Sequence, residues 1–153
     1  MDDDDDDVQH WINRYMDAYL IVARQVAARI KDSIAADTTN DQYQILRLIN
    51  AQNQCTSTYL AESFCVGKSS ITAIINRLVQ AGIIERTRDE NDRRQVYLSM
   101  TEHGKRVFEA AETQVHEVMS PYLLHFEEKD IEMFVMMLEK LANLIQDDGG
   151  KNQ

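Results

Sequence analysis

Proline is nearly absent from this sequence: Pro121 is the only one in 153 residues, alongside five glycines. Collagen-like and Pro-rich disordered readings are thereby excluded. Cysteine is scarce as well, and Cys55 and Cys65 are too few for the disulfide framework of a small secreted domain. Each is expected to serve as a small hydrophobe, the default for free cysteine. No long apolar run occurs. None exceeds six residues; Ala18 to Ala23, for one, stops at Arg24, far short of the ~20 residues a membrane span needs. The N-terminus carries six aspartates, the opposite of a basic secretory leader. The expected setting is cytoplasmic, without a membrane partner. Positive charge is short overall, with 16 basic against 26 acidic side chains and a net charge of −10.

What is present is enough for one domain. A chain of this length buries roughly 68–70% of its surface on folding, so it needs no disulfide or metal staple. The basic charge is unevenly spread: residues 67–106 hold 8 basic and 5 acidic side chains, while the segments on either side are acidic. Binding to phosphate follows local potential more than the total, so this window keeps nucleic acid open as a partner.

Periodicity places the elements. Trp11, Tyr15, Tyr19, Val22, Val26 and Ile30 recur at steps of three and four, a helical stripe from Val8 to about Ala36. Such a helix is roughly 43 Å long, more than one small core covers, so part of it is expected to pack on a partner chain. A polar break at Thr38–Asp41 precedes a second helix with Tyr43, Leu46 and Ile49 buried. Short helices follow over Thr56–Phe64 and Lys68–Ala81, the second closed by Gly82 in the left-handed conformation. Ile83–Arg88 and Gln95–Met100 read as strands around the turn cluster Asp89-Glu90-Asn91-Asp92, an exposed hairpin. Thr101 is an N-cap for a helix to about Met119, which Pro121 is expected to break. A last helix is expected over Glu128–Gln146, with Asp147–Gln153 frayed.

Residues 57–76 fit the packing of a helix-turn-helix. Leu60 and Phe64 face inward from the first short helix, small Ala61 permits a close crossing, and Ile71 and Ile74 face back from the second. Cys65 stands where such turns often carry glycine. The opposite face of the second helix holds Lys68, Ser69, Ser70, Thr72, Ala73, Asn76, Arg77 and Gln80, with no acid among them. Hydroxyls and amides at a helix start can approach phosphates, and Asn and Arg pair bidentately with adenine and guanine. The hairpin adds Arg86, Arg88, Arg93 and Arg94, arginines suited to a narrow minor groove, and Asp92 is positioned to orient the Arg94 guanidinium.

The stretch Thr56–Phe108 resembles the winged helix-turn-helix of the MarR family of bacterial transcription regulators. The resemblance rests on Leu60-Ala61-Glu62, Ser69-Ser70-Ile71-Thr72, Leu78 through Arg86, Asp89 through Arg94, and Leu98-Ser99-Met100-Thr101-Glu102-His103-Gly104. It implies a mainly α fold with a small β-hairpin wing, a winged helix-turn-helix domain plus N- and C-terminal dimerisation helices. The implied organisation is helical dimerisation regions over 8–36 and 105–147 and a DNA-binding lobe over 37–104; the acidic run and the polar C-terminus add an expected acidic disordered tail over 1–7 and a disordered tail over 148–153. It also implies a homodimer on a palindromic operator, acting as a repressor, with the recognition helix Lys68–Ala81 in the major groove. Arg94, supported by Asp92, is then the wing arginine in the minor groove. A small-molecule effector is implied too, for which Tyr15, Tyr19, Tyr43 and Phe108 are the lining candidates, each equally able to be core.

Other chemistry is weakly signalled. Gly67-Lys68-Ser69 resembles the end of a P-loop, but Glu62 stands where that motif needs its first glycine. His10, His103, His116 and His125 form no close pair, so no metal or cofactor is expected, and no catalytic motif occurs. The alternative function is a winged-helix protein interaction or dimerisation module that does not bind DNA.

Overall fold

The computed structural model describes residues 3–33 and 39–150, with side chains described for 7–32 and 39–148. The order is α1 (Asp3–Ser33), α2 (Asn40–Gln52), α3 (Ser57–Ser63), α4 (Lys68–Gln80), β1 (Ile84–Arg88), β2 (Val96–Met100), α5 (Glu102–Leu123) and α6 (Glu128–Gly150). The chain divides into two compact units, residues 1–116 and 117–153.

In the first unit, Tyr43, Ile45, Leu46 and Ile49 of α2 meet Leu60 of α3, Ile71, Ile75 and Leu78 of α4, Ile84 of β1 and Leu98 of β2. Burying an aliphatic side chain of this size stabilises by about 1.5–3 kcal/mol, so this cluster dominates the unit's stability. Tyr43 stacks on Phe108 of α5 with ring centroids 6.2 Å apart, and its hydroxyl donates to the Glu112 carboxylate. Of the α1 stripe, only Ile30 is buried and Val26 half-buried, while Trp11, Tyr15, Tyr19 and Val22 stay exposed.

Helix starts follow from short oxygen-bearing side chains. Thr39 and Gln42 form a reciprocal capping box on α2, with bonds of 3.3 and 2.9 Å. The Thr56 hydroxyl accepts the Tyr59 N–H at 3.1 Å and caps α3. The Thr101 hydroxyl accepts the Gly104 N–H at 2.9 Å at the start of α5, and donates to the Gly82 carbonyl at 2.6 Å.

The two helices of the helix-turn-helix end alike. After α4, Gly82 takes φ +68°, and N–H bonds run from Gly82 to the Val79 carbonyl and from Ile83 to the Leu78 carbonyl. After α3, Cys65 takes φ +51°, with bonds from Cys65 to Glu62 and from Val66 to Ala61. Both are Schellman closures, one built on glycine and one on cysteine. Cys55 is buried as expected; Cys65 is exposed, because the turn points it outward.

β1 and β2 pair antiparallel, with Arg86 opposite Leu98 and Ile84 opposite Met100. A bridge between Cys55 and Leu98, with bonds of 3.1 and 2.8 Å, fastens the base of the hairpin to the segment before α3. Nothing in the sequence pattern marks Cys55 as a strand residue.

In the second unit, no side chain described from 117 to 148 is buried. Met133, Phe134, Leu138, Leu141 and Ile145 of α6 are among the exposed apolar residues.

Three expectations are corrected. Asp3–Asp7 continue α1 instead of forming a separate disordered tail, since propagating a formed helix adds a backbone bond for each residue ordered. Pro121 lies inside α5, which closes only at Leu123. A proline removes one backbone bond, and the helix here ends within the next turn through bonds such as Leu124 N–H to the Ser120 carbonyl, 3.2 Å. α6 runs to Gly150, past the frayed start expected at Asp147, because propagating a formed helix adds a bond for each residue ordered. Residues 1–2, 34–38 and 151–153, which hold the ends of both expected tails and the start of the polar break, lie outside the described residues.

Candidate nucleic-acid interface

Lys68, Ser69, Ser70, Thr72, Ala73, Asn76 and Arg77 are all exposed on α4, while Ile71, Ile75 and Leu78 of the same helix are buried. The helix therefore offers solvent a wholly polar and basic face apart from Ala73. Its buried side centres on Ile75, with Ile74 only half-buried. The Thr72 hydroxyl donates to the Lys68 carbonyl at 2.6 Å, leaving its oxygen lone pairs outward as acceptors.

The start of α4 differs from those of α2, α3 and α5. Its N-cap is Gly67, which makes no side-chain cap bond. The first N–H groups of a helix need an acceptor from outside it, and a phosphate oxygen is well suited to that place.

The wing presents Arg86, Arg88, Asp92, Arg93 and Arg94, again all exposed. Its tip is ordered by two carboxylates in series. Asp89 Oδ1 accepts the N–H groups of Asn91 at 2.7 Å and Asp92 at 3.1 Å, and Asp92 Oδ1 accepts the Arg94 N–H at 3.0 Å. These are Asx turns, in which a short acid mimics a backbone turn. Asp92 thus supports Arg94 through its backbone; among the described residues no ion pair joins the Asp92 carboxylate to the Arg94 guanidinium. Asp89, read from the sequence only as a turn residue, is the organiser of the tip.

Helix and wing are joined directly. Arg86 of β1 donates from Nη2 to Oδ1 of Asn76 on α4 at 2.5 Å. No sequence signal predicted that contact, since the partners lie on different elements ten residues apart.

The aromatic candidates for an effector site separate into two pairs. Tyr43 and Phe108 are core, at 1% and 8% exposure. Burial and the Glu112 carboxylate push the Tyr43 hydroxyl up to about 12 from its ordinary 10. Tyr15 and Tyr19 are stacked on each other on exposed α1, with centroids 5.8 Å apart. Among the described residues no cluster of His, Cys, Asp and Glu is placed to hold a metal, and no helix is long and apolar enough to cross a membrane.

Two short helices meeting at a tight turn, followed by an arginine-bearing antiparallel hairpin, define a winged helix-turn-helix protein. Residues 38–96 match the model of the MarR family. The chain is 34% identical over 82 residues to the HTH-type transcriptional regulator FarR of Neisseria gonorrhoeae; the match covers 54% of this chain and spans only 56% of that relative. Among solved structures it is similar to NadR in complex with 4-hydroxyphenylacetate, at 26% identity and a TM-score of 0.72, covering 83% of this chain and 92% of that one. A MarR mutant from Escherichia coli complexed with operator DNA shares the fold at 20% identity and a TM-score of 0.72, covering 85% and 94%.

Proposed function

We propose that the chain is a homodimeric, sequence-specific transcription regulator that represses by occupying a palindromic operator. α4 lies in the major groove and Arg94 enters the adjacent minor groove. The observation that carries this reading is the joint exposure of all twelve expected contact residues on one helix and one hairpin that Arg86 and Asn76 tie together. The fold shared with a DNA-bound MarR supports it. The acidic remainder of the chain repels phosphate elsewhere and favours one docking pose.

The dimer is proposed from the apolar stripe left open on α1 and from the second unit, where no described side chain is buried. Uncovered apolar area on this scale marks an interaction surface. A twofold pairing places two recognition helices about one turn of DNA apart, roughly 34–36 Å. The effector, by analogy with the ligand held by NadR, is a small molecule that prefers a spacing of the two lobes unsuited to the operator.

Fluorescence anisotropy on the protein's own upstream DNA tests the reading. Saturable binding to one duplex is expected, with log affinity falling by ~0.9 per phosphate contacted as log salt rises. Failure to bind any duplex in dilute buffer rejects it. Sedimentation at micromolar concentration tests the dimer, and a compact monomer rejects that part.

A further inference from the structure

Asn76 faces the proposed DNA side of α4 with its amide already engaged, since its Oδ1 accepts from the Arg86 guanidinium at 2.5 Å. The orientation of that amide is dictated by chemistry. A guanidinium has five donors and no acceptor, so the amide must turn its oxygen toward Arg86 and its NH₂ away. The free asparagine amide recognises adenine by accepting from N6 and donating to N7 together. Here one of the two lone pairs on that oxygen is taken by a cation, and an adenine amino group brought to the other would sit beside the Arg86 N–H groups, donor next to donor. The amide NH₂, polarised by the bond at its oxygen, is a strengthened donor.

Both residues stand where this can act. Asn76 and Arg86 are exposed, while their neighbours Ile75 on the helix and Ile84 on the strand are buried and hold the two backbones in place. We propose that Arg86 is a specificity-determining residue acting through Asn76, biasing an adenine-reading side chain toward base edges whose acceptors have no amino group beside them, guanine N7 and O6 or thymine O4, and away from adenine, whose N7 stands next to the N6 amino group. The proposal rests on the DNA-binding reading above and adds which base class one position selects. Arg86 is thus a positioning residue whose effect appears in base preference rather than in affinity alone.

The test is selection from a pool of random duplexes with sequencing of the bound fraction, run on the full chain and on Asn76→Ala, Arg86→Met and Arg86→Lys. Asn76→Ala identifies the base position read, by erasing preference there. At that position the unsubstituted protein should favour guanine or thymine by about fivefold or more, the low end for a side-chain-to-base pair. Arg86→Met should shift that position toward adenine and leave the others unchanged, while Arg86→Lys, still a donor-only cation, should keep the original preference. Adenine preference in the unsubstituted protein overturns the proposal. So does an Asn76→Ala profile unchanged at every position. Uniform weakening by Arg86→Met, with a salt slope lower by about one and an unaltered profile, makes Arg86 a phosphate contact and also overturns it. If the unsubstituted protein enriches no duplex at all, the DNA-binding reading itself fails, a result distinct from each of these.

Discussion

A side chain at Gly104 would place its Cβ 1.9 Å from the carbonyl oxygen of Ile83. The first turn of α5 presses directly on the backbone that leads into the wing, and the Ile83 carbonyl also accepts the Thr101 N–H at 3.1 Å. Gly104→Ala cannot be absorbed by rotating a flexible side chain, because the opposing atom is backbone. It should destabilise by at least about 2 kcal/mol, within the range for forced overpacking. A urea midpoint equal to that of the unsubstituted protein would refute this.

Asp92 and Arg94 separate two accounts of the wing. Arg94→Ala should weaken operator binding by at least ~1 kcal/mol. Asp92→Asn keeps an oxygen for the Arg94 N–H and removes a negative charge from the proposed DNA-contacting tip, so binding should hold or tighten. A loss with Asp92→Asn as large as that with Arg94→Ala would mean that the carboxylate acts on the guanidinium. Anisotropy titrations at fixed salt decide between them.

Cys65 occupies a left-handed position that costs a non-glycine residue roughly 1–2 kcal/mol. Cys65→Gly removes that strain but adds freedom to the unfolded chain, worth about 0.5–1 kcal/mol. The net effect should be neutral to stabilising by up to about 1 kcal/mol. Cys65→Val, β-branched at the same φ, should destabilise by at least about 1 kcal/mol. Thermal melts of the two variants should therefore bracket the parent, and the reverse order would show that the turn relaxes.

Alkali should destabilise the first unit as pH rises above 9. Burial raises the Cys55 thiol from 9 to about 11, and burial with the Glu112 carboxylate raises Tyr43 from 10 to about 12. Both groups are neutral when protonated, and each holds its proton more tightly in the folded state. Their stabilisation is complete below pH 9 and is lost as pH rises from 9 to 12, by on the order of 2 kcal/mol for Tyr43. Tyr43→Phe should flatten the upper part of that decline in a pH series of urea melts, and an unchanged slope would count against the assignment.

The hairpin, both helices of the helix-turn-helix and the stripe on α2 were legible because short-range chemistry specifies them. A period of two along Val96–Met100, a period near 3.6 at Tyr43, Leu46 and Ile49, and glycine at 82 each act within a few residues. The exposed face of α4 was legible for the same reason. What the pattern did not carry was contact between elements. The bridge from Cys55 to Leu98, the Arg86 bond to Asn76 and the turn of Asp92 toward backbone all depend on the path of the folded chain. Pro121 misled because local propensity marks where a helix is weakened, and this helix continues one further turn before closing.

The tip of the wing has a last consequence. Three bonds from the side chains of Asp89 and Asp92 to the backbone close that loop while the protein stands alone. Its conformational entropy is surrendered during folding, so contact with a duplex has little further motion to freeze.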